Sequence, residues 1–246
     1  MVIDFHTHMG RGEAGSKDLL QSGIPAEDVV IPAREAGVTL SCIFPVTYED
    51  YGDANREIYE ATAKYPDELI PFARLNPKRE TSIAQFRLAV EEWGFKGLKL
   101  HHGCDEFSLT LPRVGRILDM AGEYRIPVIF HSIGAVDALT ALADKHRKTP
   151  IVFAHMGGLW NWPDMRKCVE SARTRENVYL GTEACLVMRC IKEAIEAVPD
   201  KVIFGSDAPA LHPGPEMAKI TLLRVEEALK RKALGENAAS LLGLSQ

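Results

Sequence analysis

His6 and His8 stand two residues apart in Val2-Ile3-Asp4-Phe5-His6-Thr7-His8-Met9-Gly10, where an apolar strand runs into a glycine. Alternate residues of a strand share a face, and at about 3.3 Å per residue the two Cα atoms lie roughly 6.6 Å apart. Both imidazoles can then lean on one ion at Zn–N distances of about 2.0–2.1 Å. Two polar residues in a turn after an edge strand would carry the same letters, so this spacing alone decides nothing. Further residues of the same rare types close later apolar stretches: Lys99 and His101, His131, His155, Glu183 and Asp207. Buried titratable groups cost energy unless paired or metal-bound, so packing alone does not explain the repetition. Three imidazoles and a carboxylate form an N/O set that suits Zn²⁺ and also Fe²⁺, Mn²⁺ or Co²⁺. If His6, His8, His131 and Asp207 bind one such ion, a water completes the sphere and its pKa falls towards neutrality. Asp207 could take the proton of that water and hand it to a leaving group. His155 would then orient the water or stabilise the developing oxyanion.

Positioning these side chains falls to a regular alternation. Apolar, β-branched stretches at 2–5, 38–45, 69–75, 97–101, 127–131, 151–155, 178–181 and 202–206 read as strands. Amphipathic stretches at 26–36, 53–65, 82–93, 113–124, 136–146, 163–174, 189–198 and 216–232 read as the helices between them, several stopped by Gly or Pro such as Gly37, Pro66 and Gly94. A Gly-rich loop (Gly10, Gly12, Gly15) follows the first strand, and a small tail helix at 236–242 follows Gly235. Strands this apolar are buried on both faces. Eight β-then-α units of about 30 residues are what a closed parallel (β/α)₈ TIM barrel needs at about 250 residues. An open doubly wound sheet alternates in the same way. The barrel is favoured because it brings the ends of all its strands to one face, the face where active sites are built.

Composition sets the outer bounds. With 246 residues, 46% of them hydrophobic, the chain can bury a large core. No linker, repeat or composition shift divides it, so residues 1–246 are expected to form one domain. A net charge of −5 offers no basic surface for nucleic acid, and no apolar run reaches the eighteen or so residues of a bilayer span. The start of the chain carries no basic-then-apolar leader. Cys42, Cys104, Cys168, Cys185 and Cys190 are odd in number and lack a CxxC pair. Free thiols in a reducing, cytoplasmic setting are the expectation, and none is expected to have the strand-end partner that a nucleophile needs.

The ordered set His6-Thr7-His8, Gly97-Leu98-Lys99-Leu100-His101, Val128-Ile129-Phe130-His131, Phe153-Ala154-His155-Met156-Gly157-Gly158 and Phe204-Gly205-Ser206-Asp207-Ala208-Pro209 resembles the amidohydrolase superfamily. It is most similar to the amidohydrolase-related branch that contains the aminocarboxymuconate-semialdehyde decarboxylases, and the tail from Gly235 to Leu244 resembles that branch's closing helix. The resemblance implies a distorted (β/α)₈ barrel with one or two divalent ions. It carries the ligand role to His6, His8, His131 and Asp207, and the catalytic-histidine role to His155. Superfamily deoxyribonucleases carry a glutamate on strand four, where this chain has Lys99. In two-metal members a strand-four lysine is carbamylated and bridges the ions, and the strand-six histidine becomes a ligand. Here one ion, most simply zinc, is expected, with a second left open, and Lys99 either is carbamylated in that way or holds a substrate carboxylate. The chain is shorter than the branch's decarboxylases, so large substrate-capping insertions are not expected.

Other residues carry two readings each. His101 shares the parity of Lys99 and is expected in the site, with His102 outside. Arg74, at the end of strand three, could clamp a carboxylate bidentately or join a barrel-rim salt bridge. Glu183 could touch substrate or cap the following helix. Trp160 and Trp162 could wall a pocket or pack on the rim, and Asp4 is expected to be hydrogen-bonded structure deeper in the barrel. The expected activity is metal-dependent hydrolysis of a small, carboxylate-bearing amide, ester or lactone, with Asp207 as general base. The alternative is non-oxidative decarboxylation of an unsaturated or aromatic acid. No nucleic-acid or membrane partner is expected, and a homo-oligomer stays open.

Overall fold

Short strands rich in Val, Ile, Leu and Phe have no polar face to show to water, so they pair with one another under a cover of helices. The computed structural model describes residues 1–12 and 23–244, which leaves Gly15 of the Gly-rich loop outside the described residues. The strands are β1 (Ile3–Met9), β2 (Leu40–Pro45), β3 (Leu69–Arg74), β4 (Gly97–Leu100), β5 (Val128–His131), β6 (Ile151–Ala154), β7 (Val178–Gly181) and β8 (Val202–Ile203). Each pairs in parallel with its neighbour in sequence. The circle closes through backbone bonds between the two ends of the sheet. Phe5 N–H donates to the Phe204 carbonyl at 3.0 Å, Asp207 N–H to that of His6 at 2.9 Å, and His8 N–H to that of Ala208 at 2.8 Å. The result is the (β/α)₈ barrel expected from the alternation together with the polar residues at the strand ends.

Strand β1 is irregular where it matters most. Asp4 pairs with Ser41 but Thr7 pairs with Ile43, so one extra residue is accommodated between them. Such a bulge turns consecutive side chains towards one face. Phe5 therefore packs inside the barrel, edge-on to Phe72 of the non-adjacent β3 at 5.2 Å, while His6 and His8 still face inward one level above. Ile3, Phe44, Ile129, Val152 and Ile203 belong to the same inner cluster, and a larger apolar layer fills the space between strands and helices.

Gly97 opens β4 because a Cβ there would run into the Phe72 ring. Gly97→Ala is expected to destabilise the fold by about 1–3 kcal/mol, read as a lower midpoint of urea unfolding.

The helices are α1 (Glu27–Ala36), α2 (Gly52–Lys64), α3 (Ser82–Arg87, continued as a π turn to Glu92), α4 (Pro112–Tyr124), α5 (Val136–Lys145), α6 (Trp162–Thr174), α7 (Met188–Ala197), α8 (Pro213–Thr221), α9 (Glu227–Arg231) and α10 (Asn237–Leu242). The stop at Gly37 is made in the left-handed conformation, φ +80°, which glycine adopts without a Cβ penalty. One expectation at the C-terminal end needs correction. The long helix expected at 216–232 is broken between α8 and α9, because α8 packs on α1 and α7 whereas the following run turns back to β1 and β8. The tail helix expected at 236–242 is found as α10, and Gly235 does not break the chain before it. Gly235 lies in a π turn joining α9 to α10, where a Cβ would collide with the Met1 carbonyl. Close approach, not helix termination, is what this glycine serves. Among the described residues no helix is long and apolar enough to cross a membrane.

Candidate active site

The C-terminal ends of the strands carry the polar residues, and two of them leave the barrel through left-handed backbone. His155 has φ +61° and Asp207 φ +66°, an uncommon conformation for residues with a Cβ. The turn at His155 ends β6, the one at Asp207 follows β8 after a short extended stretch, and both side chains lie at the barrel mouth. His6 and His8 are buried. Their rings lie 5.2 Å apart, both edge-on to Phe44, at 4.9 and 4.7 Å. Asp207 Oδ1 sits between them, 2.9 Å from His8 Nε2 and 3.4 Å from His6 Nε2. Burial would raise the Asp207 pKa, but the hydrogen bond with His8 and the adjoining imidazoles outweigh it and hold the carboxyl well below its usual range. Burial, with Lys99 nearby, pushes the His6 pKa well below normal, so this imidazole is neutral.

Glu183, just past β7, explains how His6 is oriented. Its buried Oε1 lies 2.9 Å from His6 Nδ1 and accepts the backbone N–H of His155 at 3.1 Å. On the other edge of the His6 ring, Lys99 Nζ approaches Nε2 at 3.2 Å. A lysine donates, so Nε2 carries the lone pair and the ring proton sits on Nδ1, facing the Glu183 carboxylate. The carboxylate occupies a slot made by two glycines. A Cβ on Gly181 or Gly205 would come within 2.5 to 2.6 Å of its Oε2. Burial raises the Glu183 pKa, and His155 and Lys99 work against that rise. Neither reading of Glu183 from sequence holds. It is not among the residues lining the cavity and does not cap the following helix, and it braces two histidines from behind.

His155 is set in the same way. Its Nδ1 lies 3.2 Å from the Glu183 carbonyl, which can only accept, so Nδ1 holds the proton and Nε2 the lone pair. Burial lowers its pKa to about 4. The facing wall is built by His131 and His101, stacked in parallel at 4.0 Å, with His131 also edge-on to His155 at 4.9 Å. Burial and the adjacent His155 push the His131 pKa down to about 2, and burial with His131 pushes His101 lower still. A cavity of about 420 Å³ lies between the walls. Its floor is His6, His8, Lys99, His155 and Asp207, its side is His101, His131 and Cys104, and Ile133, Leu159, Leu186 and Leu211 give it an apolar face. A larger surface groove of about 660 Å³, bordered by α5, α6 and α7, lies away from these histidines.

Among the described residues two sets of possible ligand atoms fall within 4.8 Å of one another, His6 with His8 and Asp207, and His6 with His155 and Glu183. His131 belongs to neither set, although it lines the same cavity. Arg74 is not in the cavity lining at all. Its buried guanidinium donates to the Pro45 carbonyl at 3.2 Å, Thr47 Oγ1 at 2.9 Å and Asp105 Oδ1 at 3.4 Å, and it packs against the Tyr51 ring. The carboxylate it clamps is the protein's own Asp105. His102 and Trp160 are likewise outside the lining, and Trp162 lies under the Arg189 guanidinium. Cys104 corrects the expectation for the thiols, because its Sγ lies 3.4 Å from His101 Nε2 at the cavity wall. The spacing His101-x-x-Cys104 in the loop after β4 was the available signal.

Asp4 lies beneath the site, fully buried, accepting N–H bonds from Ser206 at 2.8 Å and His6 at 3.2 Å. Burial raises its pKa to about 7. The folded state therefore binds the Asp4 proton more tightly than the unfolded chain does. The resulting stabilisation is complete below about pH 4 and is lost as pH rises through about 7. Urea midpoints of the wild type, taken relative to Asp4→Asn, are expected to fall across that window.

Neutral imidazoles, carboxylates and a lysine gathered at the C-terminal mouth of a (β/α)₈ barrel stand where barrel enzymes build their active sites. The chain belongs to the amidohydrolase family, whose model matches residues 3–244, a family of metal-dependent enzymes. Its fold is shared by solved structures of low identity. One is 5-carboxyvanillate decarboxylase from Sphingomonas paucimobilis, 14% identical, with 99% of each chain covered and a TM-score of 0.77. Another is a probable 2-pyrone-4,6-dicarboxylic acid hydrolase from Acinetobacter baumannii with citric acid bound, 15% identical, with 99% of each chain covered and a TM-score of 0.76. A third is a dihydroxybenzoic acid decarboxylase from a Polaromonas species with bound manganese and the inhibitor 2-nitroresorcinol. It is 17% identical, over 100% of this chain and 97% of that one, with a TM-score of 0.75. Comparison with curated proteins finds no match.

Proposed function

We propose that the protein is a metal-dependent hydrolase of a small, carboxylate-bearing amide, ester or lactone, with Asp207 as its general base. The observation that carries this reading is the convergence of His6 Nε2 and His8 Nε2 on Asp207 Oδ1, at 3.4 and 2.9 Å. Donors that share one ion at about 2.0–2.2 Å stand roughly 3.0–3.6 Å apart, so this corner fits a divalent cation. The donors are of the right kind too, imidazole nitrogens beside a carboxylate. His6, His8 and Asp207 would hold the ion, with His131 from the facing wall. Zinc suits this set best, with manganese, iron and cobalt as alternatives. When bound, such an ion supplies Lewis acidity and brings the pKa of a water near neutrality.

The chain's own residues divide the remaining work. Asp207, ionised and at the cavity floor, accepts the proton of the attacking water and returns it to the leaving group. His155 presents an unprotonated Nε2, so it orients that water by accepting a hydrogen bond. Lys99 Nζ offers a positive donor to a substrate carboxylate or to developing negative charge. The apolar side, with Ile133 and Leu159, excludes water from the rest of the substrate. Free thiols on all five cysteines fit a cytoplasmic setting.

Non-oxidative decarboxylation of an unsaturated or aromatic acid is the second reading. It is favoured by Lys99 sharing one cavity with Ile133, Leu159, Leu186 and Leu211, which suits a flat apolar acid with its carboxylate held by the lysine. Metal-replete protein given a panel of amides, esters, lactones and carboxylic acids separates the two. Acid release without carbon dioxide supports hydrolysis, and carbon dioxide release replaces it with decarboxylation.

A further inference from the structure

Four of the five thiols are closed off. Cys42, Cys168, Cys185 and Cys190 are buried, and burial raises the pKa of each. Cys104 is half-buried and lines the active-site cavity. Its surroundings include a fixed hydrogen-bond donor. The Cys104 backbone N–H donates to His101 Nδ1 at 3.2 Å, which commits the lone pair of that nitrogen. A ring that accepts at Nδ1 is neutral and carries its proton on Nε2, the atom 3.4 Å from Cys104 Sγ. The imidazole thus donates to sulfur, and a donor to sulfur favours the thiolate, which is the nucleophilic form. The loop that presents the pair is pinned by the neighbouring Asp105, held by Tyr51 Oη at 2.6 Å and by Arg74. The second observation is independent of the thiol. The cavity of about 420 Å³ in front of it has room for a small molecule and an apolar side formed by Ile133 and Leu159.

We propose that Cys104 is a covalent modification site, reached through the active-site cavity, that takes small α,β-unsaturated carbonyl compounds. The Sγ–C bond forms at the β carbon, the carbon–carbon π pair moves to the α carbon, and the α carbon takes up the proton that the thiol gives up. No oxidant or cofactor is consumed. The adduct occupies the cavity shared with His6 and Asp207, so it blocks entry to the site. This inference goes beyond the reaction proposed above and stands whichever substrate the cavity accepts.

The test exposes the folded, full-length protein to acrylamide and follows adducts by intact mass and peptide mapping. One adduct per chain is expected, on Cys104, formed at least about tenfold faster than on any other cysteine. Cys104→Ser should gain none in the same interval. His101→Phe, which keeps a flat ring against His131 but lacks the donor, should react several-fold more slowly. Adducts spread over the buried cysteines, or no adduct at all, would overturn the proposal. So would modification of Cys104 that appears only after treatment with a chelator, because the thiol would then be a metal ligand. A His101→Phe protein that reacts as fast as wild type would remove the donor from the argument and with it the basis for the site.

Discussion

Replacing Asp207 with asparagine is expected to leave the barrel folded and to cut turnover by about 10²–10⁴-fold, the range associated with a positioned acid or base. The fold should survive because the backbone contribution of residue 207 is kept. Its N–H donates to the His6 carbonyl, and the substituted amide has the same shape as the carboxylate. What is lost is the negative charge and the basicity of the carboxylate on which His6 and His8 converge. An amide cannot take up a proton near neutral pH. The measurement is kcat on whichever panel substrate the wild type turns over, with thermal unfolding of both proteins alongside. An unimpaired rate in a folded variant would mean that the base has been misassigned.

His6→Ala is expected to reduce bound metal from near one ion per chain to near none after dialysis, as measured by elemental analysis. His6 is the residue common to both sets of possible ligand atoms, and it is held on both edges, by Glu183 at Nδ1 and Lys99 at Nε2. Loss of an outer partner alone typically costs 10- to 100-fold in metal affinity, and loss of the ligand should cost more. The substitution also leaves the Glu183 carboxylate buried without its imidazole. A stability loss of about 1–3 kcal/mol should accompany the loss of metal. Full occupancy in the variant would contradict the ligand assignment whatever its stability.

Much of this protein follows from local pattern. Alternation of apolar strands with amphipathic helices is a matter of periodicity, which a linear sequence displays directly, and the polar residues closing the strands favoured the barrel over an open sheet. Because a parallel barrel brings every strand's C-terminal end to one rim, the positions of His6, His8, Lys99, His101, His131, His155 and Asp207 along the chain already placed them around one opening. Side-chain direction was another matter. The bulge in β1 lets Phe5 and His6 both face inward, and the left-handed turns at His155 and Asp207 aim groups that parity alone cannot aim. Arg74 carried both a substrate-clamp and a salt-bridge reading because nothing local reveals that Asp105, 31 residues away, is already in its grip. Glu183 belongs to the same lesson, because its partners His6 and His155 are met only when the barrel closes. Cys104 is different, since its partner His101 lies three residues away and their spacing is legible in the sequence. Sequence therefore determined which residue types reach the rim. The closed tertiary structure decided which atoms touch there, because hydrogen bonds and burial depend on neighbours that the chain supplies from far away.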